Sequence, residues 1–188
     1  MKTKSGVGTV RIISGKWRSR RLSVPAEGVR PTPDAVRETL FNWLMPVLPG
    51  AYCLDLFTGS GALGFEALSR GAAHVDMVDG SRQVVETLRR EAEVLGAQAA
   101  SVHQLKLPEG LGRVPERRYD VVFIDAPFRQ GLLLPCCQWL DENHRLAQGA
   151  QVYLEMEKEI MPLALPGHWT LLRNKIAGQV AYCLYQVG

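Results

Sequence analysis

Hydrophobic and polar positions run in two rhythms along this chain, and the rhythm changes near Ala51. Before that point, Val10-Arg11-Ile12-Ile13 and Arg21-Leu22-Ser23-Val24 flank Ser14-Gly15-Lys16-Trp17, which predicts two short strands closed into a hairpin. Thr32-Pro33-Asp34 then reads as a helix start. Thr32 is the N-cap, Pro33 the first helical position, and Asp34 sits at the positive end of the dipole. Val36, Leu40, Trp43, Leu44 and Val47 form its apolar stripe, and Pro49-Gly50 ends it.

From Ala51 onward, strand-like and helix-like stretches alternate. Strands are predicted at 52–56, 74–78, 99–105, 119–125 and 150–154, and helices at 61–70, 81–95 and 132–144. Residues 169–175 and 180–186 close the chain as a hairpin around Gly178-Gln179. Such alternation predicts an α/β fold: a doubly wound, Rossmann-like sheet, mostly parallel, with an antiparallel edge at the C-terminus. The domain expectation is a basic N-terminal hairpin extension over 1–30 and the α/β domain over 31–188.

Charge sharpens this division. Residues 1–45 carry nine basic side chains against three acidic ones, although the whole chain sums only to +3. A basic front end on a mildly acidic body suits a polyanion. Arg11, Lys16, Trp17, Arg18, Arg20 and Arg21 combine cations with one aromatic ring, which fits an RNA backbone and an exposed base. The start of the chain lacks an apolar signal region, and no apolar run approaches a membrane span, so a cytoplasmic protein with no membrane partner is expected. Cys53, Cys136, Cys137 and Cys183 lack metal-ligand spacing and read as reduced structural thiols, with no metal site.

Two strand ends carry candidate chemistry. Asp55-Leu56-Phe57-Thr58-Gly59-Ser60-Gly61-Ala62-Leu63-Gly64 joins the first strand of the alternating region to its helix. Its glycines match the dinucleotide fingerprint, and Asp79-Gly80-Ser81 ends the next strand, where an acid grips a ribose hydroxyl pair. A nicotinamide enzyme therefore has to be considered. Asp55, however, disfavours a pyrophosphate and suits the ammonium of an amino acid. Phe57 and Thr58 lengthen the path to the first glycine. Both features favour S-adenosylmethionine over NAD. At the second strand end, Asp125-Ala126-Pro127-Phe128 follows Val121-Val122-Phe123-Ile124. Hydrogen bonds from an exocyclic amine to Asp125 and the Ala126 carbonyl would aim its lone pair at a methyl donor, Pro127 would stiffen the turn, and Phe128 would stack on the base.

These motifs resemble class I methyltransferases that modify amino groups. Arg11-Ile12-Ile13-Ser14-Gly15-Lys16-Trp17-Arg18, the block from Arg30-Pro31-Thr32-Pro33 to Phe41, and Ala177-Gly178-Gln179-Val180-Ala181-Tyr182 carry the likeness further. They resemble the RsmD family of bacterial small-subunit rRNA guanine-N2 methyltransferases. The resemblance implies a seven-stranded class I methyltransferase sheet and methyl transfer to N2 of one guanine in 16S rRNA. It also implies a partly assembled 30S subunit as substrate, and a monomeric enzyme is expected. It places Arg30, Thr32 and Arg37 near the cofactor and target base. Two positions depart from the family: Ala126 stands where a proline is usual, and Gln104, with His103 behind it, occupies the strand end that normally offers an acid or asparagine to the adenine. An adenine-N6 methyltransferase and a non-catalytic RNA-binding assembly factor are the alternatives.

Overall fold

The computed structural model describes residues 8–24 and 32–188. Strands β1 (Thr9–Arg11) and β2 (Arg21–Ser23) form the antiparallel hairpin. Helix α1 (Asp34–Leu44) follows, then β3 (Tyr52–Leu56), α2 (Ala62–Ser69), β4 (His74–Asp79), α3 (Arg82–Leu95) and β5 (Ala100–Gln104). The second half holds β6 (Tyr119–Asp125), α4 (Leu133–Glu142), β7 (Leu146–Glu157), β8 (Trp169–Ala177) and β9 (Val180–Val187).

The main sheet has seven strands in the order β5-β4-β3-β6-β7-β9-β8. The five strands from β5 to β7 pair in parallel, and β9 pairs antiparallel with both β7 and β8. Strand order reverses between β3 and β6. That reversal opens a crevice at the carboxyl ends of the strands, where ligands of doubly wound sheets bind.

Each face of the sheet has its own core. Val75, Met77, Val121, Phe123 and Tyr153 pack with Phe41 of α1, Phe65 of α2 and Leu88 of α3. Leu54, Val78, Val122, Ile124 and Val152 pack on the opposite face with Cys136, Cys137 and Leu140 of α4. The side-chain period of two in a strand makes this partition. Strand β6 is sealed on both faces, which is why it reads as an unbroken apolar run.

The hairpin joins the first of these cores through Val10, Ile12, Trp17, Leu22 and Val24. Its turn docks on the C-terminal end of α2. The Glu66 carboxylate accepts from Ile13 N at 2.7 Å and Ser14 N at 3.0 Å, and the Ser69 hydroxyl accepts from Trp17 N at 2.9 Å. Glu91 of α3 accepts from Ser23 N at 3.0 Å. These buried oxygens satisfy backbone donors that a two-stranded ribbon cannot satisfy alone.

Helix α1 begins one residue later than expected, with Pro33 at the cap and no side-chain capping bond. Strand β7 is longer than the predicted 150–154. Its N-terminal end continues through Gln148-Gly149, with a register shift against β6 between Tyr119 and Val121.

Candidate active site

Strand β3 delivers Asp55 to the crevice. The residue is 2% exposed, and its Oδ2 accepts from Gly64 N at 3.0 Å across the turn into α2. A Cβ at Gly64 would lie 2.6 Å from Met77 Cε and 3.1 Å from Asp55 Oδ2, so only glycine allows this closure. Phe57 holds φ at 62°, which turns the chain back ahead of Gly59. Burial pushes the Asp55 carboxyl up to about 8, against the pull of the Gly64 N–H and helped by Asp79. Its charged form lacks a cation, so a ligand ammonium fits the donor set.

Asp79 ends β4 beside Gln104 of β5. Its Oδ2 accepts from Gly59 N at 3.0 Å and its Oδ1 from Ser81 N at 2.8 Å. Each carboxylate oxygen retains a lone pair for a hydroxyl donor. Ser81 caps α3, its side chain accepting from Val84 N, and Gly80 lies against Lys106 and Leu105. Gln104 is exposed at the rim. His103 turns elsewhere: its Nε2 meets Asp76 Oδ1 at 2.8 Å, and Tyr119 Oη donates to Asp76 Oδ2 at 3.0 Å. Thr58 is committed too. Its hydroxyl lies 2.7 Å from the Asp55 carbonyl and accepts from Val78 N at 3.0 Å, stapling β3 to β4. Its N–H donates to the Val78 carbonyl at 3.0 Å and its carbonyl accepts from Gly61 N at 3.0 Å, so Thr58 shapes the turn with backbone and side chain alike.

Strand β6 delivers Asp125, half-buried, on the same face as Asp55. Ala126 is buried, whereas Pro127 and Phe128 reach solvent, Phe128 with 39% exposure. Arg129 holds φ at 59°, and its N–H donates to Glu157 Oε1, which ties the loop to the end of β7.

Beside Asp125, on the neighbouring strand, stands Glu155, which sequence reasoning missed. It is buried, and its carboxyl takes a hydrogen bond from Tyr153 Oη at 2.7 Å, with Thr32 close by. Asp125 and Glu155 are register partners on parallel strands, so their carboxyls stand side by side on one face of the sheet. Burial, then the facing carboxyl, pushes Asp125 well above the ordinary carboxylate range. An acid inside Val152-Tyr153-Leu154-Glu155-Met156 was the available signal.

Several expected RNA contacts need correction. Trp17 lies buried in the core with Lys16 Nζ 5.4 Å from its ring centroid, so it is not a free stacking platform. Arg37 is wholly buried and bonds Asp34 Oδ1 at 2.6 Å and the Arg11 carbonyl at 2.8 Å, so its guanidinium clamps the hairpin onto α1. Thr32 is buried close to Glu155, the register partner of Asp125, and only its role as the helix cap is lost, to Pro33. Arg11 is exposed but pairs with Asp34 at 2.7 Å. Lys16, Arg18, Arg20 and Arg21 are exposed on the hairpin. Arg30 lies outside the described residues.

Comparison with known proteins places this geometry. The family model described as Conserved hypothetical protein 95 matches residues 10–186. Ribosomal RNA small subunit methyltransferase D of Escherichia coli (strain K12) is 48% identical over 183 residues, covering 97% of this chain and 92% of that protein. The protein of the same name from Haemophilus influenzae is 44% identical, with 99% and 98% covered. The chain belongs to the RsmD family. The solved structure of Escherichia coli yhhF superposes with a TM-score of 0.88 at 44% identity, covering 96% of this RsmD family member and 98% of that chain. A ribosomal protein L11 methylase from Lactobacillus delbrueckii shares the fold at a TM-score of 0.67 and 18% identity. The sheet is therefore that of the class I methyltransferases. Among the described residues, no helix is long and apolar enough to cross a membrane, and all four cysteines are free and buried.

Proposed function

We propose that this chain transfers a methyl group from S-adenosylmethionine to the exocyclic N2 amine of a guanine in 16S rRNA. Relatives at 48% and 44% identity bear the name ribosomal RNA small subunit methyltransferase D, which supports rRNA as the substrate class. The observation that carries the chemistry is Asp125 on β6, on the same sheet face as the buried Asp55 of the adjacent strand β3. Asp125 lies two residues beyond Phe123, the register partner of Asp55. The two carboxyls are therefore diagonal neighbours, one strand spacing across and two residues along, with room between them for a donor held at Asp55 and an amine held at Asp125.

S-Adenosylmethionine supplies an electrophilic methyl group on a sulfonium. The Asp55 carboxylate would hold its ammonium, Asp79 its ribose hydroxyls, and the Gly59–Gly61 backbone would pass close to it, with Gln104 at the rim for the adenine. A guanine amine is a poor nucleophile because its lone pair is delocalised into the ring. Hydrogen bonds from that amine to Asp125 and to the Ala126 carbonyl fix its lone pair toward the donor, and Phe128 stacks on the base. Orientation of this kind supplies much of a rate enhancement. Alanine at 126 keeps the acceptor carbonyl. The exposed hairpin cations would hold flanking phosphates of a 30S particle, with the protein acting as a cytoplasmic monomer.

The test is methylation of 16S rRNA and of assembled 30S subunits from a strain lacking the gene, followed by nucleoside digestion. N2-methylguanosine is the expected product, and N6-methyladenosine would select the adenine reading instead. Asp125→Ala should lower turnover at least about a hundredfold while the cofactor Kd stays within about twofold by calorimetry. Full activity in that variant would remove Asp125 from the mechanism.

A further inference from the structure

Glu155 has no role in the scheme above, yet it is a buried acid directly beside the amine-binding residue. It is 8% exposed and lies directly opposite Asp125 in the β6–β7 register. Asp55 on β3, Asp125 on β6, Tyr153 and Glu155 on β7, and Tyr182 on β9 all fall on one face of the sheet, and Thr32 approaches that face ahead of α1. Two carboxyls side by side on adjacent strands, one of them buried, cannot both ionise at little cost. One proton between them removes the repulsion and makes the bond.

We propose that Glu155 is a positioning residue for the transfer: it shares one proton with Asp125, and the pair, rather than Asp125 alone, receives the proton that the amine must lose. The inference rests on the functional reading above. Tyr153 Oη donates to the Glu155 carboxyl at 2.7 Å, which keeps the negative charge on Glu155 and the proton on Asp125 beside it. The other Asp125 oxygen is then free to accept an N–H from the base. When the amine nitrogen gains its methyl group, one N–H bond breaks and its electron pair returns to nitrogen. The proton forms an O–H bond on that outer oxygen, and the inner proton passes to Glu155. The pair now holds two protons and gives one to water after the product leaves. The atoms and charges balance without another reagent.

A pair that shares a proton titrates as a unit, with its first ionisation lowered and its second raised. The transfer rate should therefore fall on the acid side only when the pair takes up its second proton. Glu155→Gln keeps an oxygen for Tyr153 but leaves Asp125 to ionise alone in a buried site. In single-turnover methyl transfer at saturating cofactor, the acid limb of the pH profile should move up by about one unit or more. The rate at the plateau should fall about tenfold or more, with cofactor Kd unchanged. Glu155→Asp should restore the wild-type limb at a reduced rate.

A limb in Glu155→Gln that superimposes on that of the wild type would overturn the shared proton. Should Glu155→Gln fail to fold, Tyr153→Phe carries the test. It removes one hydrogen bond from the charged Glu155, so the same limb should move upward, and an unmoved limb overturns the proposal. Wild-type protein is assayed in parallel. If it methylates no rRNA guanine, the functional reading fails and the pair falls with it. If it does and the variants leave the limb in place, only the Glu155 assignment fails.

Discussion

Asp55 is held as a neutral acid near pH 7, because burial lifts its carboxyl to about 8 from an ordinary value of 3.8. The folded chain thus binds a proton that the unfolded chain has released across that window. Stability from this group is complete below about pH 4 and is lost as pH rises through 8. Asp55→Asn keeps an oxygen for the Gly64 N–H and no longer titrates. Its unfolding free energy should exceed that of the wild type at pH 8.5 by an amount on the order of a few kcal/mol, read by urea unfolding, and the gap should narrow toward pH 5. A gap independent of pH would clear Asp55 of this role. An ammonium docking on Asp55 must also expel its proton. The calorimetric enthalpy of cofactor binding near pH 7 should vary with the ionisation enthalpy of the buffer, and this dependence should vanish in Asp55→Asn.

The hairpin depends on its dock rather than on its own two strands, which are only three residues each. Gly15 carries φ of +82°, and a Cβ there would sit 1.8 Å from the Ser69 carbonyl oxygen. Gly15→Ala combines left-handed strain with a backbone collision, so it should cost about 2–4 kcal/mol by urea unfolding. Faster amide exchange at Ile13, Ser14 and Trp17, the donors to Glu66 and Ser69, should accompany it. Exchange that stays slow in the variant would show that the turn has another anchor. Elements differ in how well their sequences announce them. Strands β3 and β6 keep their predicted limits at both ends, because turn or charged residues bound them: Pro49-Gly50 before β3 and Gly59 soon after it, Arg117-Arg118 before β6 and Pro127 soon after it. Strand β7 does not, since Glu155 and Glu157 interrupt its apolar pattern while pairing to β6 and β9 carries the strand through to Glu157.

The turn of the basic hairpin lies away from the crevice at the carboxyl ends of the strands. Helix α2 starts at the crevice and runs back along the sheet for eight residues, about 12 Å. The turn bearing Lys16 docks at its far end, on Ser69. That placement suits contacts to phosphates flanking the target rather than to the target base. Replacing Lys16, Arg18 and Arg20 together by alanine should weaken rRNA binding and flatten the slope of log K against log salt by about 2–3. The nucleoside that is methylated should not change. A slope equal to that of the wild type would place the RNA on another surface.

The amino-acid sequence alone determined the strand and helix alternation, the glycine turn after Asp55 and the acid-proline-aromatic run at Asp125, because each is a local pattern with a local cause. Tertiary structure alone decided which charges are spent inside. Arg37 looked like an RNA contact and is a buried clamp; Trp17 looked like a stacking ring and is core. Glu155 lies thirty positions after Asp125 in sequence and one strand away in the sheet. Parallel pairing sets which residues of distant strands share a face, and no local period encodes that register.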